Sequence, residues 1–310
     1  MRLHEYNDEF KQLVTLVARE KSIPESAVEK DYYIVQALSF LSRREDSNRC
    51  VFKGGTSLSK CYPNSIERFS EDIDLTYIPD DSMSDKQIER KLKSIEADMV
   101  DGAECEKITA ERNNRNKSIW FWHGNRDNKI KLEIGSSVRP EPYNLRTIKS
   151  YIQEYLEIKG FNDAVKEYEL YEFSINVLNI ERTFVDKLMA VKRHSICDNI
   201  IPKARHIYDV VRLYNTPEVQ SFIANKEELK RLIQLTKQTD SKYLEKRDIP
   251  ERYNPLGAYD FESWEEELNK AKSVYEKLHE ELLFTNEKQN FEKAIATFKT
   301  INNILKEISE

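Results

Sequence analysis

A strand that breaks into two adjacent glycines and restarts as a helix, followed by an acidic strand, limits what this chain can fold into. Cys50-Val51-Phe52 reads as the strand, Gly54-Gly55 as the turn and Thr56-Ser57 as the opening of the helix. After a short polar gap comes Asp72-Ile73-Asp74-Leu75, in which carboxylates alternate with apolar residues. Residues i and i+2 of a strand point to one face, so Asp72 and Asp74 share a face while Ile73 and Leu75 face a core. Two carboxylates side by side repel unless a cation lies between them. A divalent ion supplies that cation, and the N–H groups of a glycine turn opening a helix suit phosphate. The pair of motifs therefore predicts a site for a Mg²⁺-bound nucleoside triphosphate (NTP). A solvent-facing acidic strand edge is the plainer alternative. With only seven glycines in 310 residues, two in succession are a local signal.

Further residues extend the site, each with an ordinary reading beside it. Glu133, in the alternating run Lys129–Ile134, is a candidate third carboxylate for metal, or an exposed residue paired with Lys131. Gly54, Gly55, Thr56, Ser57 and Lys60 form a candidate nucleotide cradle in which Thr56 or Ser57 caps the helix and donates to phosphate. It is not a P-loop, because the spacing and the GK[ST] ending are absent, and Lys60 also fits a solvated helix face. Lys187 stands at the rim of an apolar helix face (Phe184, Val185, Leu188, Val191), suited either to snorkelling or to a triphosphate. Asp209, four residues after Arg205 and three before Arg212, reads as a surface ion pair on the polar side of a helix that buries Ile207, Val210, Val211 and Tyr214. Arg112–Lys131 interleaves cations with Trp120, Phe121 and Trp122, which suits single-stranded RNA. The alternative is a hairpin that turns at least one tryptophan into the core.

Net charge is −6, so no global basic field points to nucleic acid, but Lys107–Lys131 carries a local excess of five positive charges. Acidic residues concentrate in Glu262–Glu281. Four cysteines without CxxC spacing read as reduced thiols. The first residues are charged and amphipathic, and no stretch has the length of a membrane span, so a cytoplasmic protein is expected. Helices are predicted over 6–20, 26–43, 85–98, 145–158, 181–194, 203–214 and 226–237, with a long pair over 263–308 and a loop over 240–258. Strands are predicted near 104–110, 117–123, 129–136 and 171–177. The fold class is α+β, a short mixed sheet flanked by helices and followed by a helical carboxy-terminal part.

The blocks KGGTSLSK (53–60), RFSEDIDL (68–75), IKLEI (130–134), ERTFVDKLMAVKRH (181–194) and RHIYDVVRLY (205–214), in this order, resemble the AbiEii-type nucleotidyltransferase toxins, as does EKDYYIVQAL (29–38). These are toxin components of bacterial toxin–antitoxin and abortive-infection systems. The resemblance implies a polymerase-β-like nucleotidyltransferase core in residues 1–178 and a helical domain in 179–310 that brings Lys187 and Asp209 to the cleft. Gly55-Thr56 matches the superfamily's Gly-Ser turn, Thr56 keeping a hydroxyl. Asp72 and Asp74 match its metal-binding acids, Lys187 and Asp209 its helical motifs. Glu133 stands where Asp is common. The implied activity is Mg²⁺-dependent transfer of nucleotides from an NTP to the 3′ acceptor end of tRNA, which blocks translation and is neutralised by a cognate antitoxin protein. AMPylation of a protein hydroxyl and a non-catalytic module binding RNA or antitoxin are the alternatives.

Overall fold

The computed structural model describes residues 1–245, 249–284 and 287–309. Alternation in the sequence makes strands with two unlike faces. In β2 (Asp72–Tyr77) the side chains of Ile73, Leu75 and Tyr77 are buried, as are Ile130, Leu132 and Ile134 of β5 (Ile130–Gly135). These belong to one seven-stranded mixed sheet with β1 (Cys50–Lys53), β3 (Glu104–Lys107), β4 (Asn116–Trp122), β6 (Tyr143–Ile148) and β7 (Phe173–Leu178). Its order is β3-β4-β5-β2-β1-β7-β6. The central pairs β2–β5 and β1–β7 are parallel and the others antiparallel. The architecture is α+β, as expected.

The chain divides into two units. The first holds residues 1–62 and 69–178, the second residues 63–68 and 179–310. In the first, helices α1 (Asn7–Lys21) and α2 (Glu25–Ser42) bury Phe10, Val14, Val17, Val28 and Tyr32 together with Ile152 and Leu156. The eight-residue helix α3 (Gly54–Cys61) joins β1 to the acidic strand. Helix α4 (Asp85–Met99) starts at a capping box, Ser84 with Gln87, and turns Ile88, Leu92, Ile95 and Met99 to the core. The second half of the predicted helix 145–158 is α5 (Tyr151–Ile158), but residues 145–148 belong to strand β6. That strand is the sheet edge with four of its six residues exposed, so it carries no alternation to read. Helix α6 (Asn162–Glu167) adds an element that was not predicted.

The second unit is helical: α7 (Ile180–Ile196), α8 (Ala204–Tyr214), α9 (Pro217–Ala224), α10 (Lys226–Leu244), three short helices α11 (Glu265–Asn269), α12 (Lys272–Glu276) and α13 (Leu278–Glu281), and α14 (Phe291–Ser309). The predicted long pair over 263–308 is thus one long helix and three short ones. Trp264, Leu268, Ala271 and Tyr275 are all buried at a spacing that imitates one continuous helical face. The backbone nevertheless breaks near Lys270–Ala271 and at Lys277, where no Gly or Pro announces it. The predicted loop over 240–258 begins later than expected, because α10 continues to Leu244, and its residues 246–248 lie outside the described ones. Phe261 packs edge-on against Trp264 with ring centroids 4.8 Å apart and stacks on Phe298. All four cysteines are free thiols. Among the described residues no helix is long and apolar enough to cross a membrane.

Candidate active site

Strand register assembles the acidic face in the first unit. Asp74 of β2 lies opposite Glu133 of β5 and opposite Lys53 of β1, and Asp72 lies opposite Lys131. Residues in register on neighbouring strands share a face at about 4.8 Å between strands, so Asp72, Asp74 and Glu133 stand together on the side away from the buried Ile73 and Leu132. Lys131, on the same face, places its ammonium 3.4 Å from Glu133 and 2.6 Å from Glu111. Burial works against its charge, but the Glu111 and Glu133 carboxylates outweigh that and hold its pKa above the usual lysine value. Among the described residues no three His, Cys, Asp or Glu side chains converge into a ligand cluster. What the face offers is a row of hard oxygen donors, the chemistry that Mg²⁺ takes.

Gly54 brings the backbone against that row. Its φ of +84° is one that L side chains rarely adopt, and a Cβ here would lie 2.2 Å from Asp74 Oδ2. Only glycine lets the turn approach the carboxylate this closely. The hydroxyls of the turn do not cap the helix as predicted. Thr56 Oγ1 sits 2.5 Å from the Asp72 carbonyl oxygen and 3.0 Å from Ser70 Oγ, while Ser57 donates to the Gly54 carbonyl at 2.9 Å. Both residues are buried, so Thr56 pins the helix start to the acidic strand. The groups left for phosphate are the first backbone N–H donors of α3, with Gly55 beside them.

Lys60 is not gathered with these residues. Its buried ammonium lies 2.7 Å from Asp31 Oδ1 and 4.1 Å from the centre of the Tyr151 ring. Burial pushes the Asp31 carboxyl up, partly offset by Lys60 and by the Tyr151 N–H that donates to it. Sequence spacing had no means of finding Asp31, on a helix 29 residues upstream.

Lys187 and Asp209 meet in the second unit. Asp209 is not on a polar surface with Arg205 and Arg212, as the spacing suggested, but fully buried. Tyr208 and Leu213 are buried with it, whereas Val211 and Tyr214 stay half-buried, so the inward face of α8 is rotated from the one predicted. Its carboxylate accepts two hydrogen bonds from Arg68, from Nε at 2.6 Å and Nη2 at 2.8 Å. Lys187 Nζ is 3.2 Å from Oδ2 and 3.0 Å from His206 Nδ1. Burial disfavours the Asp209 charge, but Arg68 and Lys187 hold its carboxyl well below the usual carboxylate range. Burial, aided by the Lys187 charge, lowers His206 to about 3, so its neutral ring accepts from Lys187. Arg68 and His206 are the residues that spacing missed. Both lie inside the motif blocks, yet nothing local marks them as partners of Asp209.

The basic segment is largely compensated. Arg112 pairs with Glu96, Arg115 with Asp85, Lys117 with Glu89 and Arg126 with Glu106. Neither tryptophan enters the core: Trp120 and Trp122 are both half-buried, with Lys129 Nζ 4.7 Å over the first ring and the Arg126 guanidinium 5.3 Å over the second. Ile119 and Phe121 take the buried positions instead.

The family model for the nucleotidyl transferase AbiEii toxin of type IV toxin–antitoxin systems matches residues 36–298. The chain belongs to the AbiEii nucleotidyltransferase toxin family. It is accordingly a nucleotidyltransferase, with an NTP as substrate and an antitoxin as the partner that its class implies. No curated protein sequence matches it. Solved structures similar to this AbiEii-family chain include two bacterial proteins. MenT4, a nucleotidyltransferase toxin from Mycobacterium tuberculosis, is 18% identical with a TM-score of 0.48, covering 95% of this chain and 98% of that one. JHP933 from Helicobacter pylori is 19% identical with a TM-score of 0.40, covering 83% and 95%.

Proposed function

We propose that this AbiEii-family enzyme transfers nucleotides from an NTP to the 3′ acceptor end of tRNA, with Mg²⁺ held by Asp72 and Asp74 and joined by Glu133. The observation that carries the reading is the single acidic face of β2 and β5, against which Gly54 brings the start of α3. Bound there, Mg²⁺ would neutralise phosphate charge and align the reacting oxygens. The N–H groups at Gly54–Ser57 suit the β- and γ-phosphates, and Asp72, Asp74 and Glu133 would hold the cation that draws in the α-phosphate. The RNA 3′-oxygen forms its bond to the α-phosphorus as the bond to pyrophosphate breaks, and the hydroxyl proton leaves to a neighbouring carboxylate and then to solvent. The Lys187 ammonium, aimed by Asp209 and His206, is a cation for phosphate charge. Blocking the acceptor end halts translation, and an antitoxin protein neutralises the activity in the cytoplasm. Incubation with labelled NTPs, Mg²⁺ and total tRNA tests this against an Asp72→Ala variant. Label in tRNA that the variant loses supports the reading, whereas label in protein, or toxicity that survives Asp74→Ala, overturns it.

A further inference from the structure

Across the sheet, register lines up Glu106, Trp120, Lys131 and Asp72 on four successive strands. Trp120 thus stands on the acidic face two strands from Asp72, roughly 10 Å away at the usual strand spacing. The glycine turn lies on the other flank of β2, beyond Lys53 of β1. The carboxylates therefore lie between the turn and the indole.

That order fixes a direction for the chemistry. In nucleotidyl transfer the entering and leaving oxygens lie in line on opposite sides of the phosphorus. With the departing pyrophosphate at the α3 turn, the acceptor hydroxyl enters from the side of β5 and β4. The nucleoside that carries this hydroxyl then lies between the carboxylates and Trp120. The indole serves no core, since its strand neighbours Ile119 and Phe121 fill the buried face. Among the described residues it is the Lys129 ammonium that lies over its ring, and an exposed ammonium–indole contact is weaker than a stacked base. We infer that Trp120 is a stacking platform for the terminal base of the RNA acceptor strand, with Lys129 yielding its place over the ring. The inference deepens the reading of an RNA acceptor and rests on it.

The test uses the full chain and a 5′-labelled oligoribonucleotide with a free 3′-hydroxyl, bound without NTP and followed by fluorescence anisotropy, beside steady-state transfer to tRNA. Trp120→Leu is expected to weaken oligoribonucleotide binding and raise KM for RNA by roughly 5- to 100-fold, with KM for NTP nearly unchanged. Trp120→Phe keeps a stacking ring and is expected to retain most of the binding, which a purely structural role of the indole would not require. Unchanged RNA binding in Trp120→Leu overturns the inference. So does a raised KM for NTP alone, which would place the base of the incoming nucleotide there instead. Because binding is read without NTP, Trp120-dependent RNA affinity survives a failure of tRNA labelling, and the two readings fall separately.

Discussion

A side chain at position 54 would begin 2.2 Å from the Asp74 carboxylate, so the turn and the acidic strand are fitted to each other through the absence of one carbon atom. Gly54→Ala must displace either Asp74 or the start of α3, and must also hold a φ of +84°. It is expected to cost about 1–3 kcal/mol of stability and to lower transfer far more than the stability loss explains. Thermal melts beside transfer rates separate the two effects, and a variant with wild-type transfer would contradict the fit.

Asp74→Asn keeps the shape of the side chain and removes one of three like charges on the acidic face. Transfer is expected to fall by about two orders of magnitude or more. Stability is expected to stay level or rise slightly, because repulsion with Asp72 and Glu133 is relieved. A sharp drop in melting temperature would instead mean that Asp74 holds the fold.

Lys60→Ala leaves Asp31 buried beside Tyr151 without its counter-charge. The expected loss is about 3–5 kcal/mol, and the double variant Lys60→Met with Asp31→Leu is expected to recover most of it. In that double variant KM for NTP is expected to stay within about twofold. A large increase would return Lys60 to the phosphate-binding set.

Acid should weaken the fold earlier than its carboxylates would dictate. Burial lowers His123 and His194 to about 4 and His206 to about 3. Such a histidine takes up its proton in the unfolded chain first, so its contribution is complete above pH ~6.5 and is lost as pH falls toward the folded value. Each contributes a slope of about 1.4 kcal/mol per pH unit across that window. Asp209, depressed by Arg68 and Lys187, adds a second loss only below the ordinary carboxylate range near ~3.9. Melting temperature against pH should bend downward below pH ~6.5 and bend less in His206→Gln. A curve flat to pH 5 would rule out neutral buried histidines.

The parts of this molecule that were legible in the sequence are those whose partners lie close along the chain. The Asp72–Leu75 and Ile130–Ile134 alternations, the Gly54-Gly55 break and the apolar stripe of α7 each follow from local periodicity, and the structure places strands, turn and helix there. Strand β6 was not legible because four of its six residues are exposed, which leaves no alternation to read. The surroundings of Asp209 and Lys60 were not legible because a buried ion pair is chosen by tertiary packing, here across 141 residues for Arg68 and Asp209. Nothing local in the sequence says whether Trp120 and Trp122 turn to the core or away from it, which the parity of β4 against β5 decides.

The short segment 63–68 belongs with the helices although the residues on both sides of it belong with the sheet. Its Arg68 neutralises Asp209, and its Glu67 carbonyl accepts from the Phe284 N–H. The chain therefore changes unit after Tyr62, after Arg68 and after Leu178. No single cut yields two complete halves: a fragment beginning at residue 179 would carry Asp209 without its arginine. The connection between the glycine turn and the acidic strand is for the same reason a poor place for insertions or deletions. A change of length there would shift the register of β2 at one end and pull an arginine from a buried carboxylate at the other.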